Sequence, residues 1–183
     1  MENKIFINGL KIENAVNKDN IIEIEGYCCH YQKANLNREI VDEHSFEKFF
    51  NLYTDKIIVP KLNYNHTDTL IGGIDEIASF DEGLYMRAHL NKAIKIVEEM
   101  ILPSVEDGQL TQFSTEGFID NGWKGIQENE DGTYYVKDFI LTAVAIVPTP
   151  ADPQATFTLK NYIDENIAKR ELEKAKSKWY LML

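Results

Sequence analysis

Between residues 21 and 31 the chain alternates with a period of two. Ile22, Ile24 and Gly26 fall on one face and Glu23, Glu25 and Tyr27 on the other, which predicts a strand. A short apolar stretch at 4–8, closed by Gly9, predicts another. Residues 32–42 are rich in Asn and charge and read as a loop. Ser45 then reads as a helix N-cap, with Phe46, Phe49 and Phe50 on one helical face behind it. Residues 56–65 predict a strand that Pro60 makes an edge or a bulged one. Residues 70–79 and 83–90 predict a hairpin turning at Asp81, Glu82 and Gly83. Ile94, Val97, Ile101 and Val105 recur at helical spacing over 92–106, where Pro103 kinks or shortens the last turn and Gly108 marks the stop. Residues 109–119 predict a strand, 121–132 a polar loop, and 133–147 a long strand running into the proline-rich segment 148–153. The chain then reads as a charged helix at 161–178 with an apolar end at 179–183.

These elements make about seven strands and three helices, without strand–helix–strand alternation. The expectation is an α+β fold, a mainly antiparallel β-barrel or sandwich with packed helices. The main domain is expected at residues 1–157 and a C-terminal helical tail at 158–183. That tail reads as a solvated cap on the barrel or as a tether to a partner.

Composition narrows the function. The 183 residues are 44% apolar, enough for one domain with a substantial core. Acidic residues number 30 against 19 basic, a net charge of −11 that disfavours nucleic-acid backbones and anionic membranes. No apolar run has bilayer-spanning length, and the first residues carry no signal-type apolar region. Cys28 and Cys29 are adjacent and unsuited to a disulfide framework, so a reducing, cytoplasmic setting is expected.

Four histidines are present: His30, His44, His66 and His89. His66 ends an apolar stretch just before Ile71-Gly72-Gly73, where a strand meets a loop and catalytic groups tend to sit. Ser114 is a small polar residue on a packable strand, and Glu116 follows at i+2 on the same face. A histidine approaching that face could touch Ser114 with one ring nitrogen and Glu116 with the other, although only a tertiary fold could span the 48 residues between positions 66 and 114. Each residue also has an ordinary reading: a loop histidine, a bonded strand serine, a solvated glutamate. A metal set of His66, Asp68 and His89 lacks any motif spacing, so no metal or cofactor is expected.

Several segments together resemble one family. Ile24-Glu25-Gly26-Tyr27 and Ser45-Phe46 come first. Val59-Pro60-Lys61-Leu62-Asn63-Tyr64-Asn65-His66 with Ile71-Gly72 follows, then Gly83-Leu84-Tyr85. Phe113-Ser114-Thr115-Glu116-Gly117 and Val144-Ala145-Ile146-Val147-Pro148-Thr149-Pro150-Ala151-Asp152-Pro153 complete the ordered set. This order resembles the prohead, or capsid-maturation, serine proteases of tailed bacteriophages, which share a fold with the herpesvirus assemblins. The resemblance implies a herpesvirus-protease-like fold, His66 as general base and Ser114 as nucleophile. Where many members carry an acidic residue this chain has Ala143, and no histidine follows Ser114 as in the herpesvirus relatives. The third catalytic member is therefore open among Glu116, Asp138 and His89. The resemblance further implies scaffold protein and major capsid protein as substrates, the protease itself as another, and work inside the assembling prohead in the host cytoplasm. It suggests oxyanion donors near residues 148–153 and leaves a homo-oligomer open. The rival expectation is a non-catalytic virion or scaffold-binding β-barrel module, and a third is a metal-dependent hydrolase using His66 and His89.

Overall fold

A computed structural model of the chain describes residues 6–8 and 20–160. The helix expected at 161–178 and the apolar end at 179–183 lie outside the described residues. Among the described residues, eleven strands form three sheets. The largest joins β1 (Phe6–Asn8), β5 (Gly72–Phe80), β6 (Gly83–Asn91), β2 (Ile21–His30) and β11 (Phe157–Lys160) in that spatial order, all antiparallel. The second joins β4 (Lys61–Tyr64), β10 (Phe139–Val147) and β7 (Gln112–Ile119), with β10 central. A small third sheet holds β3 (Glu39–Ile40), β9 (Tyr134–Val136) and β8 (Ile126–Glu128). Two pairs are parallel, β4 with β10 and β3 with β9.

The α+β class with mostly strands holds. The described strands make three sheets instead of one continuous closed barrel. Single bridges tie the two larger sheets at both edges, Gln112 to Thr156 and Asn63 to Leu70. Strand β1 pairs with β5 over Phe6–Asn8, within the stretch the sequence assigns to a strand.

Local chemistry explains where elements depart from the sequence pattern. Ser45 is not the N-cap. Asp42 caps a 3-10 turn, Glu43–Phe46, and Ser45 stands three residues on, completing a capping box with it. Ser45 is fully buried, and its hydroxyl donates to the Val136 carbonyl at 2.6 Å. Helix α1 (Glu47–Thr54) follows and buries Phe49, Phe50 and Tyr53. In the second helical stretch a π turn, Val97–Ile101, runs into α2 (Leu102–Glu106), and Pro103 falls just past the join, where the Leu102 N–H bonds the Val97 carbonyl at π spacing. Val97, Ile101 and Val105 are buried, as their spacing requires. The long strand expected at 133–147 is two strands, parted where Asp138 takes φ +51°. Strand 56–65 shortens to β4, and 109–119 to β7.

One apolar core unites these elements. Ile24, Leu84 and Met86 from the large sheet, Leu62, Phe113, Ile140 and Ile146 from the second, and Phe46 and Phe49 from the helical region are all essentially inaccessible to solvent. The Phe46 and Phe139 rings meet edge to face at 5.7 Å, which docks the helical region onto the second sheet. That sheet is therefore held rigidly from behind, and its edges carry the candidate chemistry.

Candidate active site

The turn after β4 fixes His66. Tyr64, Asn65, His66 and Thr67 make a tight turn closed by the Thr67 N–H donating to the Tyr64 carbonyl at 3.1 Å. Both central residues have positive φ, +51° at Asn65 and +57° at His66. Asn and His are among the few side-chain-bearing residues that visit this region readily. The Asn65 N–H donates to the Ile146 carbonyl at 3.0 Å, pinning the turn to the end of β10.

From this perch the imidazole reaches over to β7. Its Nε2 lies 3.0 Å from Ser114 Oγ, and its Nδ1 lies 3.1 Å from Glu116 Oε1. An ionised carboxylate only accepts hydrogen bonds, so the tautomer that suits Glu116 carries its proton on Nδ1. The lone pair on Nε2 then faces Ser114 and can accept its hydroxyl proton. Ser114 is 9% exposed, whereas the His66 and Glu116 side chains are 41% and 29% exposed. Ser114 is thus the most protected of the three.

Strand β10 runs between the two contributing strands. Asn63, Ala145 and Ser114 stand in one row across the sheet, and Lys61, Ala143 and Glu116 in the next. Residues in one row share a face. Two strand spacings separate β4 from β7, about 9.6 Å. The methyl groups of Ala143 and Ala145 leave open space over β10, and Asn63 Nδ2 donates across it to Glu116 Oε1 at 2.6 Å. The register slips between Leu141 and Ala143, so Thr142 is an extra residue at this bulge and its hydroxyl donates to the Glu116 carbonyl at 3.3 Å. At Gly117 a Cβ would stand 2.2 Å from the Ile140 carbonyl oxygen, so only glycine lets β7 approach β10 there.

A cleft of about 560 Å³ opens onto this constellation. Phe46, Phe113 and Phe139 form much of its apolar lining, and Asn35, Thr142 and Asp152 add polar groups. This size lies within the usual range of ligand sites. Cys28 and Cys29 also line it, but burial pushes both thiols upward, Cys29 to about 12, so they stay protonated and unreactive at neutral pH. Asp152 accepts from the His30 backbone N–H and pairs with the His30 ring at 2.8 Å, which anchors the segment 148–153 to β2.

The other sequence candidates lie apart from His66. Asp138 accepts from the Asn121 amide at 2.7 Å, at the break before β10. His89 sits on β6 and pairs with Asp75 at 2.8 Å. His44 pairs with Glu47. Among the described residues no group of three or more His, Cys, Asp and Glu side chains could hold a metal ion. Sequence reasoning missed Asn63, which it quoted only as part of a motif. Nothing local signals its role, because its partner Glu116 lies 53 positions later in the chain and on the far side of a central strand.

No curated protein matches the chain. Among solved structures, the bacteriophage T4 capsid assembly protease is similar at a TM-score of 0.54, with 16% identity over 78% of this chain and 90% of that one. The KSHV protease, solved with a hexapeptide phosphonate inhibitor, is similar at a TM-score of 0.49, with 10% identity over 77% of this chain, and the chain spans 65% of that protein's length. The first likeness shows a shared fold. Residues 10–173 match the family described as caudovirus prohead serine protease, and with nearly the whole chain inside that match, the chain belongs to this family.

Proposed function

We propose that this chain is a serine endopeptidase of prohead maturation in which Ser114 is the nucleophile, His66 the general base and Glu116 the residue that orients His66. One observation carries the reading: a single imidazole lies within hydrogen-bond reach of a hydroxyl on one side and a carboxylate on the other. In the reaction, Ser114 Oγ attacks the scissile carbonyl carbon while its proton passes to His66 Nε2. The imidazolium then forms beside the Glu116 carboxylate, which offsets its charge. The tetrahedral intermediate collapses as His66 returns the proton to the leaving amine, giving an acyl-enzyme. Water enters, gives a proton to the same nitrogen, and releases the acid product with Ser114 restored.

The substrates on this reading are scaffold protein, major capsid protein and the protease itself, cut inside the assembling phage capsid in the host cell. Family membership supports that assignment. The same reading takes β5, β6, β2, β11, β7, β10 and β4 as one seven-stranded barrel, supported by the bridges that tie the two larger sheets at both edges.

The test is co-expression with the candidate capsid and scaffold proteins, comparing wild type with Ser114→Ala and His66→Ala by intact-mass analysis. Wild type should yield new termini that neither variant produces. Identical fragment patterns from all three would refute the protease and favour a non-catalytic binding module. Loss of cleavage with a chelator, with no response to a serine-directed phosphonate, would instead favour metal-dependent hydrolysis.

A further inference from the structure

We infer that Asn63 is a positioning residue that holds the Glu116 carboxylate in line with His66. This rests on the protease reading of the same site and extends it by one residue. Asn63 is 6% exposed, and its Nδ2 donates to Glu116 Oε1 at 2.6 Å, the same oxygen that lies 3.1 Å from His66 Nδ1. One carboxylate oxygen therefore accepts from Asn63 while lying beside the imidazole, and turning it toward solvent would break the Asn63 bond and draw it away from His66.

The orientation of the amide is fixed by chemistry. Swapping its oxygen and nitrogen would set two acceptors 2.6 Å apart. In the orientation present, Asn63 Oδ1 is the buried side-chain oxygen or nitrogen, among the described residues, that has no hydrogen-bond partner. A position serving only to pack β4 against the core would be better filled by an apolar side chain of similar size, which carries no unpaired acceptor. Asn63 keeps that defect and uses its other arm on the carboxylate. The sheet provides the geometry it needs: Ala143 and Ala145 leave the path across β10 clear, and their positions in the two rows place Asn63 diagonal to Glu116.

The role acts through Glu116, so its signature is coupling. Asn63→Leu, which keeps the shape but removes the donor, should lower kcat about tenfold with KM unchanged, the scale of one hydrogen bond to a charged group. In a Glu116→Gln background the same substitution should change kcat less than about twofold, because the carboxylate it positions is gone. Asn63→Asp, the same size again, should fail as Leu does, since it sets a second acceptor against Glu116. Circular dichroism selects whichever of the two variants is folded. Equal effects of Asn63→Leu in both backgrounds would overturn the inference and mark Asn63 as structural. A second readout needs no turnover. The proton NMR signal of His66 Nδ1–H, recorded at low temperature, should move upfield from its wild-type position in Asn63→Leu, in the same direction as in Glu116→Gln. An unmoved signal overturns the inference even if the protein proves to have no protease activity, whereas a moved signal in an inactive protein would leave the positioning intact and remove only the protease reading.

Discussion

Replacing Glu116 with Gln isolates the part of catalysis that depends on a negative charge. The side chain keeps its length and can still accept from Asn63 and His66, so packing is preserved. On the proposed mechanism, what disappears is the attraction between the carboxylate and the imidazolium that forms as Ser114 loses its proton. At the observed 3.1 Å, that attraction is about 1.3 kcal/mol in water-like surroundings and about 5 kcal/mol at an effective dielectric constant of about 20. With His66 41% and Glu116 29% exposed, solvent screens the pair, and a value near the middle, about 2.7 kcal/mol, corresponds to about a hundredfold loss in acylation rate. The assay is the rate of inactivation by a serine-directed phosphonate, followed by intact mass, with thermal unfolding as the check on folding. A rate within about threefold of wild type would show that the carboxylate does not stabilise the imidazolium, and the chain of reasoning from the row geometry to the mechanism would fail.

Two further predictions concern stability. Ser45→Ala removes the capping box with Asp42 and leaves the buried Val136 carbonyl without its donor, so unfolding in urea should show a loss of about 2–3 kcal/mol, and a loss under about 0.5 kcal/mol would refute this account of the turn. The alkaline limb follows from the thiols. Burial lifts Cys29 to about 12, so the folded protein keeps a proton that the unfolded chain gives up near pH 9, and the stability this contributes is full below about pH 9 and drains away as pH rises toward about 12. The urea midpoint should fall between about pH 9 and about pH 11, and Cys29→Ala should flatten that fall; an unchanged slope in the variant would contradict it.

The parts of this fold legible in the sequence are those governed by short-range rules. A period of two placed β2 correctly, and the same rule put Ser114 and Glu116 on one face, as β7 bears out. Helical spacing found the buried face of Phe46, Phe49 and Phe50. The failures come from interactions between distant segments. Ser45 has the chemistry of a cap, but the chain enters the turn at Asp42, and the Ser45 hydroxyl is drawn to Val136 across the fold. Segment 133–147 has no glycine to mark its interruption, so the break at Asp138 is invisible in the pattern. The parallel pairing of β4 with β10 is equally silent, and it alone sets Asn63 opposite Ala145 and His66 within reach of Ser114. Parallel neighbours far apart in sequence leave no local trace, which is why the proximity of the two groups had to be inferred from a family resemblance.

The insertion of β10 between β4 and β7 governs when the site comes into being during synthesis. His66 and Ser114 ride on strands that each bond to β10 and not to each other. A nascent chain that has already released both residues from the ribosome therefore lacks the template that aligns them until Val147 follows. Strand order thus delays the pairing of His66 with Ser114 until β10 has been made.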